Sequence, residues 1–343
     1  MNKISAAIVT AIASLMAAVA TYAMDTGPTI VRFKTERVSL PGEGRGDYLL
    51  VDEASNRLFV THASTVHILD LKTLGTIGTV AGLTKAAGVA VASDKGFASD
   101  AGGDRVVVFD PATGVTEKML VGGKKPDSIF FDQPSGMVFV FNGGSHDVSI
   151  IDPKRAEIVK TIALGDAPEG ARNDGNGRAY VNLGDEHAIA VIDTRKGEVL
   201  GKYIMVDCES PAALGIDTVH GRIFSSCENN VMKVVDAKSG RTVATLAVGQ
   251  DPDGIIYDAE HRRVIVGGRD GAWTIVDQLT PDRYRINSTY SIDPYAKTLA
   301  QDTRTGRIFS STADLIWPPI VPGKKHLPDA KSGTFRLLVI SER

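Results

Sequence analysis

His67-Ile68-Leu69-Asp70, Val107-Val108-Phe109-Asp110, Ser149-Ile150-Ile151-Asp152, Ala190-Val191-Ile192-Asp193, Lys233-Val234-Val235-Asp236 and Thr274-Ile275-Val276-Asp277 are copies of one short pattern, an apolar run closed by aspartate. Their aspartates lie 40, 42, 41, 43 and 41 residues apart. A seventh copy, Leu337-Leu338-Val339-Ile340-Ser341, follows a longer gap and carries Ser in place of Asp. Self-similarity at a fixed period of this size marks a repeat architecture, in which each unit buries its apolar faces only against its neighbours.

Working outward, each unit has the same order. A Gly- and Pro-bearing turn opens it, as in Gly165-Asp166-Ala167-Pro168-Glu169-Gly170. A short apolar strand ending in Asp follows (Asp52, Asp132, Asp174, Asp217, Asp258, Asp302), then a strand such as Met137-Val138-Phe139-Val140-Phe141, then the Asp-closed run, then a fourth strand such as Ile158–Leu164. Four short strands per ~40 residues make one propeller blade. The expected fold is all-β: a seven-bladed β-propeller with four-stranded antiparallel blades. Unit seven has no fourth strand before the chain ends at Arg343, and Thr29–Val38 is an orphan strand before unit one. That orphan is expected to complete the last blade and close the ring, which removes an exposed edge.

Composition limits the function. The 343 residues carry 38 Lys and Arg against 41 Asp and Glu, a net charge of −3. This balance opposes a main role in holding nucleic acid, which needs cations to displace counterions. At the N-terminus, Lys3 precedes an apolar, uncharged run from Ile4 to Ala20, and Ala18-Val19-Ala20 and Thr21-Tyr22-Ala23 both offer small residues at a cleavage site. Residues 1–23 therefore read as a signal peptide and 24–343 as one propeller domain, periplasmic or secreted. Removing Lys3 with that segment leaves a mature charge of −4.

The phrase Ala179-Tyr180-Val181-Asn182, followed by Ile189-Ala190-Val191-Ile192-Asp193-Thr194 and preceded by the Gly165-x-x-Pro168-Glu169-Gly170 turn, resembles the YVTN-type repeat. Over residues 29–341 the chain resembles the YncE-like secreted propellers of bacteria. The resemblance implies a seven-bladed ring outside the cytoplasm. Members are credited with ligand or single-stranded DNA binding, and fold alone does not choose between them.

In a propeller, the inner strand starts at one mouth of the central channel, and the turn between the second and third strands returns there. Aligned on the Asp that ends the first strand, the opening column reads Asp47, Ala87, Asp127, Glu169, Ala212, Asp253 and Lys297. The column ending the second strand reads His62, Asp100, Asn142, Asn182, Cys227, Gly268 and Thr312. Asp47, His62, Asp127, Asn142, Glu169, Asn182, Asp253 and Lys297 are thus candidate ligand-binding residues at one mouth. Oxygen and imidazole donors of this kind suit Ca²⁺ or a transition metal, with Asp127, Glu169, His146 and His187 as candidate ligands. The competing reading is structural: acids in such turns cap backbone N–H groups. Arg45, Lys125, Arg172 and Arg269 lie near the same face, and Glu169 or Asp127 is the expected partner of Arg172. His67 is expected to be structural, and His220 and His261 simply solvated on the opposite face.

Cys208 and Cys227 fall in the same unit at this mouth, and in an oxidising compartment a disulfide is the first expectation, with free thiols as copper ligands the second. The insertion Ala313–Pro328, with Trp317 as apolar anchor, replaces a tight turn there; it reads as a lid or a partner-docking surface. The chain shows no nucleophile elbow, His-Glu-x-x-His or phosphate loop. The first expectation is therefore a monomeric, non-catalytic module binding a small ligand or a protein through this face. The alternatives are a metal-assisted hydrolase or lactonase, and a single-stranded DNA binder.

Overall fold

The structure is a computed structural model describing residues 30–320 and 327–343. The expected signal peptide, residues 1–23, lies outside the described residues, as do Thr29 and the insertion's residues 321–326.

Seven four-stranded sheets form the ring. Blade 1 runs from Gly46–Asp52 to Thr76–Val80, blade 2 from Ala86–Ala92 to Thr116–Val121, and blade 3 from Pro126–Asp132 to Glu157–Ala163. Blades 4, 5 and 6 open with Pro168–Asn173, Pro211–Asp217 and Pro252–Asp258. Within each of these six blades the strands pair in chain order. Blade 7 differs. Its inner strand is only Ala300–Gln301, its third strand is Arg336–Glu342, and its outer strand is Phe33–Ser39 from the other end of the chain. The closing pair is antiparallel, from Phe33 opposite Glu342 to Ser39 opposite Arg336. No helix among the described residues is long and apolar enough to cross a membrane.

The core is divided as the repeat requires. Seven apolar clusters fill the ring, one at each interface between adjacent blades. Phe139 and Phe141 of blade 3 meet Val181 and Ala190 of blade 4, for example. The interface between blades 7 and 1 is as apolar as the others, with Phe309, Phe335 and Leu337 against Leu58 and Val60.

In blades 1 to 5 the Asp that closes the third strand is a turn cap, whereas Asp277 of blade 6 lies inside the longer strand Ala272–Thr280 and accepts from Arg285 and Asn287. Asp70 Oδ1 accepts from the Lys72 and Thr73 amides at 3.0 and 2.7 Å, and Asp236 Oδ1 from those of Lys238 and Ser239 at 3.2 and 2.8 Å. The Asp that ends each first strand does similar work, and His220 and His261 take part in it. Their Nδ1 atoms lie 2.7 and 2.8 Å from Asp217 Oδ2 and Asp258 Oδ2, so these histidines are held in their turns rather than merely solvated.

Inner strands of neighbouring blades touch along the channel wall, and small residues permit it. A Cβ on Gly254 would stand 2.0 Å from the carbonyl oxygen of Lys297, and one on Gly170 2.5 Å from that of Ala212. The obstacle is backbone in both cases and cannot swing aside. We expect Gly254→Ala to cost about 1–3 kcal/mol, read as a lower midpoint in urea unfolding. Gly201→Ala, where a Cβ meets nothing within 4 Å, is the control and should leave the midpoint within about 0.5 kcal/mol.

Candidate functional site

In blades 1 to 6 the opening column occupies the second position of the inner strand, and each of those strands is bulged there; in blade 7 Lys297 precedes the short inner strand Ala300–Gln301. The pairing register shifts between Gly46 and Leu49, Pro126 and Ile129, Pro168 and Ala171, and Pro252 and Gly254. A bulge breaks the strict alternation of faces and re-aims the side chain beside it. Asp47, Asp127, Glu169, Asp253 and Lys297 accordingly line one cavity of about 400 Å³ at the channel mouth.

These five groups do not share one environment. Lys297 Nζ lies 2.6 Å from Asp253 Oδ2 and 3.3 Å from Asp47 Oδ1. Arg269 Nη2 adds a second contact to Asp253 Oδ2 at 2.8 Å. Burial works against the charge on Asp253, but Lys297 and Arg269 outweigh it and hold the carboxyl below its usual range. Burial likewise opposes the charge on Lys297, and Asp253 and Asp47 more than restore it, raising its pKa. Asp127 and Glu169 have neither an ion pair nor a side-chain hydrogen bond among the described residues. Desolvation, with Asp47 and Glu169 nearby, pushes the Asp127 carboxyl up to about 7. Desolvation also raises Glu169, and Lys125 offsets part of that rise.

Tyr48 and Arg172 lie in the same channel. Burial and the surrounding acids, Asp127 first among them, drive the Tyr48 phenol well above its ordinary value. Arg172 does not pair with Glu169 or Asp127 as expected. Its Nη1 donates to the Ala171 carbonyl at 2.8 Å, and burial lowers its pKa, with Tyr48 nearby countering. Arg172 lies three residues beyond Glu169 along the inner strand and pairs with no carboxylate among the described residues.

The second column is buried beneath the mouth. Asn142 Nδ2 donates to Asp147 Oδ1 at 2.7 Å and Ser149 Oγ at 2.9 Å within its own blade. Asn182 stitches two blades: its Nδ2 donates to the Ala212 and Ala213 carbonyls, and its Oδ1 accepts from Ser225 Oγ. His62 is 1% exposed and stacks on Phe335 with centroids 3.6 Å apart. Its Nε2 lies 3.2 Å from the Gly44 carbonyl and its Nδ1 3.2 Å from His67 Nε2. Burial and then His67 lower the His62 pKa to about 4, so this ring is neutral near pH 7.

His146 and His187 occupy equivalent exposed turns on the rim and line none of the mouth cavities. His187 Nδ1 accepts the Ser210 amide at 3.3 Å. Among the described residues no group of three or more His, Cys, Asp or Glu is placed to hold a metal ion. Cys208 and Cys227 are bonded to each other and buried, which removes both thiols as copper ligands.

Two further cavities open at this mouth. One, of about 440 Å³, lies beside Arg45, Lys85, Tyr295 and Ser311. The other, of about 650 Å³, lies between Tyr295 and Trp317 of the insertion. Leu327, also from the insertion, lines all three. Trp317 is half exposed and meets Tyr295 edge-on at 6.2 Å. Arg45 lies over the Tyr295 ring, its Cζ 5.3 Å from the centroid. Tyr48, Lys85, Tyr295 and Ser311 stand outside the sequence columns. Two of them adjoin column residues and were open to discovery by spacing, Tyr48 after Asp47 and Ser311 before Thr312.

No protein-family model and no curated protein matches the sequence. Solved structures do resemble the fold. Kuenenia stuttgartiensis hydrazine synthase aligns with a TM-score of 0.68 at 17% identity, covering 80% of this chain and 94% of that one. The RRP9 WD40 repeats align with a TM-score of 0.71 at 10% identity, covering 90% of this chain and 97% of that one. At such identities the likeness carries the seven-bladed propeller and nothing finer.

The raised Asp127 pKa has a definite sign for stability. The folded state holds this proton more tightly than the unfolded chain does, so Asp127 favours folding in acid. That contribution is lost as pH rises from the ordinary carboxylate range through about 7. Asp127→Asn should raise the melting temperature by about 2–4 °C at pH 8 and far less at pH 5. An equal shift at both pH values would show that Asp127 is not proton-linked to folding.

Proposed function

We propose that the chain is an exported propeller of the YncE-like, YVTN-repeat kind, acting as a binding module that takes a small ligand at its loop-bearing mouth. The apolar N-terminal segment and the Tyr180-Val181-Asn182 repeat phrase support export and kinship. The observation that carries the binding reading is the convergence of three cavities, of about 440, 400 and 650 Å³, under the one long insertion. A fourth, of about 190 Å³, lies away from this mouth beside Phe33 and His261. Ligand sites are concave, with a few placed polar groups and an apolar wall; here Leu327, Tyr295 and Trp317 supply the wall and the column residues the polar groups. The near balance of charge favours a small ligand over nucleic acid.

Trp317 makes the reading testable, because the other tryptophan, Trp273, is fully buried with its Nε1 on the Ala296 carbonyl. Thermal unfolding and tryptophan emission of the purified protein would be followed against a panel of small organic acids and amines. We expect at least one class to raise the melting temperature by several degrees at saturation and to change emission. Trp317→Phe should keep the thermal shift and lose the optical one. Stabilisation by calcium or a transition metal alone, or retention on single-stranded DNA at physiological salt without response to any small compound, would contradict the proposal.

A further inference from the structure

The mouth is electrically divided, and its basic half has a built-in vacancy of partners. Four cations, Arg45, Lys85, Arg269 and Lys297, line the 440 Å³ chamber against one carboxylate, Asp47. Two of the four are already engaged, Lys297 with Asp47 and Asp253, and Arg269 with Asp253. Arg45 and Lys85 have no carboxylate in ion-pairing reach among the described residues. Ser311 lines the same chamber; it is 4% exposed, and its hydroxyl has no hydrogen-bond partner. An unpaired buried hydroxyl is rare enough in a folded protein to need a reason. Gly46 packs closely beside it: a Cβ there would stand 2.3 Å from Ser311 Oγ and 2.9 Å from the Thr61 carbonyl oxygen, so only glycine leaves the hydroxyl its place.

Resting on the reading of this mouth as a ligand site, we propose that the chamber takes a carboxylate that carries an aromatic ring. The carboxylate is received by Arg45 and Ser311, with Lys85 adding charge. Arg45 is suited to it because a guanidinium held over an aromatic face keeps its N–H edge available to a planar two-oxygen acceptor. The ring follows from what adjoins the cations. The chamber shares Arg269, Tyr295 and Leu327 with the outer 650 Å³ cavity, whose far side is Trp317. A ligand anchored by its acid at Arg45 therefore lays its body along Tyr295, between Leu327 and Trp317. A carboxylate bearing a ring fits better than phosphate, because phosphate leaves the wall of Tyr295, Leu327 and Trp317 uncovered.

Calorimetric titration of the purified protein with phenylacetate, acetate, inorganic phosphate and benzylamine separates these features. Phenylacetate should bind at least about tenfold more tightly than acetate or phosphate, and benzylamine should not displace it. Arg45→Ala should weaken phenylacetate by about tenfold or more, Arg45→Lys should recover part of the loss, and Ser311→Ala should cost about threefold. Unchanged melting temperatures would show that the variants fold. Absence of phenylacetate binding up to about 10 mM, tighter binding of phosphate, or indifference to both Arg45→Ala and Ser311→Ala overturns the assignment. Binding of benzylamine with a Trp317 response would overturn it while leaving the mouth a ligand site, so the two readings fail separately.

Discussion

Everything at the mouth depends on a strand pairing between the two ends of the chain. Phe33–Ser39 lies antiparallel to Arg336–Glu342 and supplies the outer strand that blade 7 otherwise lacks. Asp293 fastens the same seam, accepting from Arg37 on the first strand and Arg336 on the last. The bond from Arg37, with Arg336 behind it, holds the Asp293 carboxyl below its usual range despite partial burial. Closing the ring places blade 7 between blades 6 and 1. Only then can Lys297 reach Asp253 on one side and Asp47 on the other. Arg45, Tyr295 and Ser311, drawn from blades 1 and 7 and the connection between 6 and 7, meet for the same reason. The ion-pair network and the basic chamber are both products of closure.

The charges are sorted around the mouth. On the side of blades 6, 7 and 1, carboxylates are matched by cations and one chamber holds cations in excess. On the side of blades 3 and 4, Asp127 and Glu169 face the channel with no ion-pair partner among the described residues, and desolvation moves both toward the neutral acid. A pair of unmatched acids in a confined space resists full ionisation. Proton uptake there and anion uptake across the channel relieve opposite imbalances.

Much of this was legible in the sequence, and the reason is repetition. One blade is a weak signal, but an Asp recurring at intervals of 40 to 43 residues defines the fold, the blade count and the missing fourth strand together. The bonded pair Cys208 and Cys227 and the shared cavity of Asp47, Asp127, Glu169, Asp253 and Lys297 follow from placing columns on that frame. What the frame does not carry is local departure from it. The bulges begin at Pro126, Pro168, Pro211 and Pro252 and at Gly46 and Ala86, where strict alternation of apolar residues does not announce them, and they separate the first column, aimed at the channel, from the second. Asn142, Asn182 and His62 therefore serve the blade framework through hydrogen bonds and stacking. Tyr295 lies in the connection between blades 6 and 7 and Ser311 beside Thr312 in the irregular blade, where alignment to the repeat is weakest.

Hydrogen exchange resolved along the chain tests the closure on which the site rests. If the ends are paired as described, the hydrogen-bonded amides of Phe33–Ser39 will exchange as slowly as those of the central strands of blades 3 and 4, through opening of the whole ring. Rapid exchange of Phe33–Ser39 and Arg336–Glu342 in a protein whose other blades stay protected would mean an open ring, with no seam to assemble the mouth.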